Sequence, residues 1–478
     1  MLFNSIEFLF LFLPICIVGF YAFSWRKPAN ARIFLLFSSF VFYGMWDWRY
    51  IILLLASVLF NYNLSTLLRK NKSGLLLVVG ILTNIGSIIY FKYADFFLGT
   101  ANSLGGDFEL LHIVLPLGIS FFTFQQVSFL VESYREEVDC KNFWGYALFI
   151  TFFPQLIAGP VVRYCEVADQ LNDHKFGIVN WNLISAGIFI FTIGLSKKVL
   201  LADEFAAIAS PLFELVDNGE SIGAAQAWLA VFSYSFQIYF DFSGYSDMAI
   251  GLGLMFGIRL PVNFLSPYKA RNIIEFWRRW HMTLSRFLRD FLYFPLGGNR
   301  SGKIRRYFNL AIVMLLGGLW HGASWNFVIW GGLHGTYLVI THLFHKLVPP
   351  TEIFSIRASF FYGLITYLAI CIAWVFFRSE NIDSAFLMIE IMAGGGDIEY
   401  NFISNVWIFW ENSPYLLLGT LIVWRCRNSI SLLEQYELYL EGKATASPAN
   451  ANAVGVLLAT SIFVIYSGAY SEFIYFQF

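Results

Sequence analysis

Apolar residues in this 478-residue chain gather into runs long enough to cross a lipid bilayer, at 5–23, 32–46, 50–68, 74–98, 112–132, 143–162, 182–201, 224–257, 307–345, 357–378, 411–425 and 452–470. A transmembrane helix needs about 20 such residues, because the hydrocarbon core is ~30 Å thick and a helix rises ~1.5 Å per residue. A water-soluble fold has no interior large enough for so many all-round apolar helices. Composition closes that alternative: 58% of the residues are hydrophobic and 13% charged, where soluble domains are roughly a quarter charged. The sequence predicts an all-α polytopic membrane protein of about 11–12 transmembrane or re-entrant helices, since helices alone can satisfy their own backbone in lipid without closing a barrel. A single membrane domain over 1–478 is the economical organisation, and no internal repeat of fixed period is visible.

The run 5–23 is followed, not preceded, by Arg26, Lys27 and Arg32. That order predicts a retained first span with its N-terminus outside rather than a cleaved signal peptide. The run 143–162 carries Pro154 and Gly159-Pro160 in its interior. Irregular backbone at membrane depth survives only where protein or a cavity satisfies it, so a re-entrant hairpin and a full crossing are both open there. Arg69 to Lys72 and Arg135 to Lys141 read as cytoplasmic loops, but Lys197-Lys198 breaks the alternation unless 143–162 spans. Glu434 to Asn452, with Gly442, Ser447 and Pro448, reads as a loop before the last span.

Lys plus Arg (31) nearly equals Asp plus Glu (32), so no overall field exists to recruit nucleic acid, and only local clustering carries information. The cluster runs from Arg259 to Arg306: Arg259, Lys269, Arg271, Arg278, Arg279, Arg286, Arg289, Arg300, Lys303, Arg305 and Arg306 face only Glu275 and Asp290. Within it Phe276, Trp280, Leu284, Phe287 and Phe291 recur at spacings of three or four, which predicts one amphipathic helix from Glu275 to Tyr293. Orientation and lipid-headgroup contact are routine duties for such a helix. His281, beside Trp280 at the boundary of the two faces, adds a functional reading, although a lone histidine of this kind is more often structural.

A second histidine changes the balance. His321 stands in Gly317-Gly-Leu-Trp-His-Gly-Ala-Ser-Trp325, in the middle of the run 307–345. An ionisable residue at membrane depth is costly and by default functional, and a neutral imidazole can take a proton from an attacking hydroxyl. The flanking glycines have a plainer role in close helix packing. His334 lies thirteen residues on, about 20 Å along a continuous helix, and is read as structural. His112, His174, His342 and His345 fall at span ends or loops. Asp241 and Asp247 lie deep in 224–257, where a buried carboxylate needs a partner; pairing with arginines or tyrosine hydroxyls is the structural reading, a proton relay the sharper one. Gln125-Gln126 places amides in a span for interhelical hydrogen bonds.

Two motifs are decoys. Gly297-Gly-Asn-Arg-Ser-Gly-Lys303 approaches a phosphate-binding loop, but Ile304 follows where a hydroxyl is needed and no strand precedes it; Gly251-Leu-Gly253 lacks the third glycine of a dinucleotide turn. Cys16, Cys140, Cys165, Cys371 and Cys426 stand alone, and suggest neither a disulfide framework nor a metal site.

Taken together, Glu275-Phe-Trp-Arg-Arg-Trp-His-Met-Thr-Leu-Ser, Leu288-Arg-Asp-Phe-Leu-Tyr-Phe-Pro-Leu-Gly-Gly-Asn-Arg300 and Gly318-Leu-Trp-His-Gly322 resemble the membrane-bound O-acyltransferase family. The likeness is to its bacterial branch, which acylates alginate, peptidoglycan and teichoic acid. Leu115-Pro-Leu-Gly-Ile-Ser-Phe121, Phe153-Pro-Gln-Leu-Ile-Ala-Gly-Pro160 and Tyr239-Phe-Asp-Phe-Ser-Gly-Tyr-Ser-Asp247 extend it to about residue 380. The resemblance implies helices around a central tunnel, with the family's invariant histidine at His321 and the second histidine of the branch at His281. It places Trp280, Arg278, Arg279, Trp320, Asp241, Asp247 and Ser285 along the tunnel or the donor site. It implies acetyl-CoA or an acyl-carrier thioester as donor substrate, with no bound cofactor, and the basic stretch suits the donor's phosphates. Membrane lipids, an extracytoplasmic SGNH-like acetyltransferase and a polysaccharide acceptor are the implied partners, in a bacterial inner membrane. Residue types alone leave two rivals, a proton-coupled transporter or flippase using Asp241, Asp247 and His321, and a structural scaffold in which His321 is dispensable.

Overall fold

The helix Gly74–Ile88 is built inside out: it buries Gly80 and Asn84 and exposes Leu75, Val78, Val79, Leu82 and Ile85. Polar atoms turned inward and leucines outward suit a chain whose solvent is lipid. In this computed structural model the described residues are 1–25, 27–140, 142–300, 302–348, 356–395, 402–445, 448–468 and 473–474, with the backbone alone for 356–357, 402–409 and 448–451. Arg26, Lys141, Ser301 and Ser447 lie outside them. Among the described residues the structure is helical with no strand. Arg49–Asn71, Gly74–Ser103, Trp181–Asp217, Trp325–Leu347 and Ala358–Arg378 are each long and apolar enough to cross a membrane. The chain is thus an all-α, multi-pass membrane protein.

Contacts divide it into two units, Met1–Leu195 with Tyr245–Val262 and Leu433–Ser467, and Ser196–Gly244 with Asn263–Leu432 and Gly468–Phe478. In the first unit, amides join helices. Asn61 Nδ2 donates to Gln126 Oε1 (2.9 Å), Asn84 Nδ2 donates to Asn61 Oδ1 (2.7 Å) and Ser57 Oγ donates to Gln126 Oε1 (2.7 Å). Interhelical bonds of this kind are worth about 0.6–2 kcal/mol each in lipid. Of the pair Gln125-Gln126, it is Gln126 that enters this network.

Several sequence boundaries shift. The run 112–132 is helical only over Ile119–Tyr134. The run 143–162 is no straight crossing: Phe143–Thr151 stops at Phe152, Phe153–Leu156 follows, and residues up to Arg163 are not helical. Pro154 can only open a helix there, because it has no N–H to give within one. The expected loop Glu434 to Asn452 is helical at both ends, in Ser429–Leu440 and Pro448–Tyr466. Lys197 and Lys198, at the end of the run 182–201, sit in a π-helical turn, Lys197–Ala202, and the helix continues past them to Asp217.

The second unit holds the larger correction. The run 307–345 is two helices, Lys303–His321 and Trp325–Leu347, with extended backbone at Gly322 between them. Ser324 caps the second by accepting the Asn326 N–H (3.3 Å). The two helices press together so closely that a Cβ on Gly318 would meet the Phe327 carbonyl oxygen at 2.1 Å, and one on Gly331 would meet that of Met314 at 2.4 Å. The chain therefore reverses one residue past His321.

Candidate active site

The segment expected as one amphipathic helix over Glu275 to Tyr293 is broken at its histidine. Asn272 caps a short helix, Ile273–Trp277, by accepting the Glu275 N–H (2.9 Å). A second helix, Met282–Leu288, begins after His281, which has left-handed backbone angles of φ 43° and ψ 51°. For a non-glycine residue this costs about 1–2 kcal/mol, and the surroundings hold it there. The Leu265 N–H donates to the Arg279 carbonyl (2.9 Å), the Met282 N–H to the Asn263 carbonyl (3.0 Å) and the Ser285 N–H to the His281 carbonyl (2.9 Å). The apolar period continues across the break because both short helices face the same core, which is why the sequence pattern conceals it.

His281 is fully buried rather than at a face boundary. Its Nδ1 lies 3.2 Å from Asn263 Oδ1, and its Nε2 is buried with no hydrogen-bond partner among the described residues. Its ring packs edge-on against Phe242 (4.8 Å between centres) and reaches Trp320 (5.9 Å) and His321 (6.3 Å). His321, 4% exposed, is the last residue of its helix. Around it stand Trp320 at 4.9 Å, Trp330 at 5.0 Å and Phe377 at 5.2 Å. Two imidazoles thus share an apolar, aromatic chamber, the surroundings in which a neutral histidine acts as a base.

The other expected site residues divide. Trp280 is buried against Phe264 (5.0 Å), Trp374 (5.2 Å) and Phe276 (5.6 Å), forming a wall of the chamber. Arg279 is committed to Glu275 (2.8 Å) and the Leu265 carbonyl (3.3 Å), whereas Arg278 is exposed. Ser285 spends its hydroxyl on the Trp280 carbonyl (3.4 Å). Asp241 is buried and, among the described residues, pairs with a lysine instead of the expected arginine or tyrosine: Lys198 Nζ lies 3.1 Å from it and 2.8 Å from Asp203. Its other oxygen accepts the Ile474 N–H (2.8 Å), and neighbouring Phe473 packs on Phe242 (6.1 Å). Asp247, six residues on along the same helix, is buried in the first unit.

His334 is the main revision. Because the chain reverses at Gly322, His334 comes back beside the chamber: Trp330 lies between it (4.7 Å) and His321 (5.0 Å). The separation of about 20 Å along a continuous helix does not apply. Asn263, Trp330 and Phe377 carried no sequence signal. Among the described residues no group of His, Cys, Asp and Glu is placed to hold a metal ion.

Residues 111–382, which include Asn263, His281, His321 and His334, match the family model described as MBOAT, membrane-bound O-acyltransferase family. The chain is 43% identical to a peptidoglycan O-acetyltransferase of Helicobacter pylori, over 82% of this chain and 80% of that protein. It is 37% identical to a probable alginate O-acetylase AlgI of Azotobacter vinelandii, over the whole of both chains. A teichoic acid D-alanyltransferase of Streptococcus thermophilus is 30% identical over 50% of this chain and 59% of that one. Helical architecture, paired histidines and family match agree: the chain belongs to the membrane-bound O-acyltransferase family and is a multi-pass membrane acyltransferase.

Proposed function

We propose that this enzyme takes an acetyl group from a cytoplasmic thioester, acetyl-CoA or an acyl carrier, and hands it across a bacterial inner membrane for O-acetylation of an envelope or exported polysaccharide. The observation that carries the reading is the pairing of His281 and His321, buried 6.3 Å apart in one aromatic chamber. The names of the relatives, peptidoglycan O-acetyltransferase and alginate O-acetylase, support the acceptor class.

In this reading the chamber is the narrow part of a tunnel. His321 acts as general base, or as transient acyl acceptor. His281, with a bare Nε2, accepts a hydrogen bond from the donor and positions the thioester. The basic stretch around Arg278 meets the donor's phosphates at the cytoplasmic mouth. An extracytoplasmic SGNH-like acetyltransferase completes delivery to the sugar hydroxyl. Asp241, already tied to Lys198, acts structurally and not as a proton relay. The test is loss of polysaccharide O-acetyl groups in cells carrying His321→Ala at normal membrane levels. Retained acetylation in those cells refutes the proposal.

A further inference from the structure

Two buried N–H donors beside the chamber have no use within the described protein. His334 is fully buried, and its Nδ1 accepts the Trp277 Nε1–H (3.3 Å). An imidazole nitrogen that accepts carries no hydrogen, so the hydrogen sits on Nε2. That Nε2–H has no hydrogen-bond partner among the described residues, and neither has the Nε1–H of Trp330, which is 1% exposed. The two rings adjoin, 4.7 Å between centres, and Trp330 also touches His321.

Four other indoles of the same unit are satisfied. Trp277 donates to His334, Trp374 to Tyr268 Oη (3.1 Å), Trp424 to the Tyr268 carbonyl (3.0 Å) and Trp228 to the Met392 carbonyl (3.1 Å). Against these four, the adjoining Trp330 and His334 donors are left unspent beside the base. Buried donors are kept unpaired where a substrate supplies the acceptor. Both rings are also wedged in place, Trp330 by Phe377 (5.3 Å) and Trp374 (6.0 Å), His334 by Phe276 (6.1 Å).

We infer that Trp330 Nε1–H and His334 Nε2–H hold the thioester carbonyl oxygen of the acyl donor and the negative charge that develops on it. This rests on the acyl-donor reading proposed above. His321 removes the proton of the acceptor hydroxyl, whose oxygen bonds to the thioester carbon while the carbonyl electron pair moves onto the oxygen held by the two donors. When that pair returns, the carbon–sulfur bond breaks, and the departing thiolate takes the proton from His321. Ester and thiol are the products.

The experiment uses the purified full-length protein with labelled acetyl-CoA and a short alginate oligosaccharide as hydroxyl acceptor, and compares wild type, Trp330→Phe, His334→Asn and His334→Gln, each checked for an unchanged melting profile. Trp330→Phe and His334→Asn remove a donor, while His334→Gln keeps an N–H at the reach of Nε2. Removal of one such donor slows catalysis by about 10²–10³-fold. The expected result is a loss of that order in kcat for the two removals, little change in acetyl-CoA affinity, and substantial recovery in His334→Gln. Wild-type kcat in folded His334→Asn or Trp330→Phe overturns the inference and leaves the acyl-donor reading intact; a wild-type protein that releases no CoA overturns both.

Discussion

Asn263 Oδ1 lies 3.2 Å from His281 Nδ1 and at the same time accepts the Thr283 N–H (3.3 Å) and the Thr283 hydroxyl (2.9 Å). The backbone N–H of Thr283 can only donate, so the atom it meets is the amide oxygen. His281 therefore carries its hydrogen on Nδ1 and offers a bare Nε2. One asparagine fixes the tautomer of a buried histidine whose own backbone is strained.

Asn263→Ala should consequently injure chemistry more than folding. Losing a hydrogen bond that leaves a buried donor unpaired costs about 1–3 kcal/mol, equivalent to about 5- to 150-fold in rate. Steady-state kinetics should show the loss chiefly in kcat, with the KM for acetyl-CoA changed little. An unchanged kcat would mean that the Asn263 contact does not set the working tautomer.

The Lys198 ammonium lies between the Asp203 and Asp241 carboxylates, all three scarcely exposed. Lys198→Met leaves two buried carboxylates without their cation, a change that costs about 3–5 kcal/mol. The melting temperature in detergent should fall markedly. The triple variant Lys198→Met, Asp203→Asn, Asp241→Asn should recover most of it, since it removes the charges together. A single Lys198→Met variant as stable as wild type would show that the triad contributes nothing.

Gly318 and Gly331 allow the approach of the two helices on either side of the reversal, where an added methyl group meets a backbone carbonyl oxygen at 2.1 and 2.4 Å. Backbone cannot swing aside as a side chain does, so Gly318→Ala should force the helices apart and displace His321. Overpacking of this kind costs about 1–3 kcal/mol. Thermal unfolding together with CoA release would check it, with both expected to drop. Gly332→Ala is the control, since its nearest neighbour is a Leu315 methyl group at 3.7 Å.

Glu275 braces the broken segment from its polar side. Partial burial pushes its carboxyl up, but the Arg271 N–H, the Arg271 guanidinium and Arg279 outweigh this and leave it below its usual value of 4.5. A depressed folded-state value means the stabilisation is fully present above about pH 4.5 and disappears as the pH falls through the depressed value. The stability difference between wild type and Glu275→Gln should accordingly be constant from neutral pH down to about pH 5 and shrink below it. A difference that grows on acidification would reverse the assigned sign.

Fold class was readable because lipid demands long apolar helices, and nothing else accounts for runs such as 74–98 and 357–378. His321 and His281 were readable because an ionisable group among leucines is conspicuous. What the sequence concealed were interruptions. The apolar period of Phe276, Trp280 and Leu284 passes through His281 without a sign that its backbone turns left-handed, and Gly322-Ala323-Ser324 looked like one more small-residue patch. Missing that second break carried His334 far from His321 in the linear reading. Lys198 was legible only as a break in the charge alternation, since nothing local showed that two carboxylates, one of them 43 positions away along the chain, hold it inside a helix. Asn263 offered no local pattern, since its importance comes only from the fold that brings it to His281.

The most direct measurement is single-turnover release of CoA from labelled acetyl-CoA by the purified protein in the presence of a short alginate oligosaccharide as hydroxyl acceptor, wild type against His321→Ala. General-base catalysis contributes about 10²–10⁴-fold. Wild type should release CoA, and His321→Ala should show a loss of at least that order with an unchanged melting profile. Wild-type release rates in correctly folded His321→Ala would contradict the role given to His321.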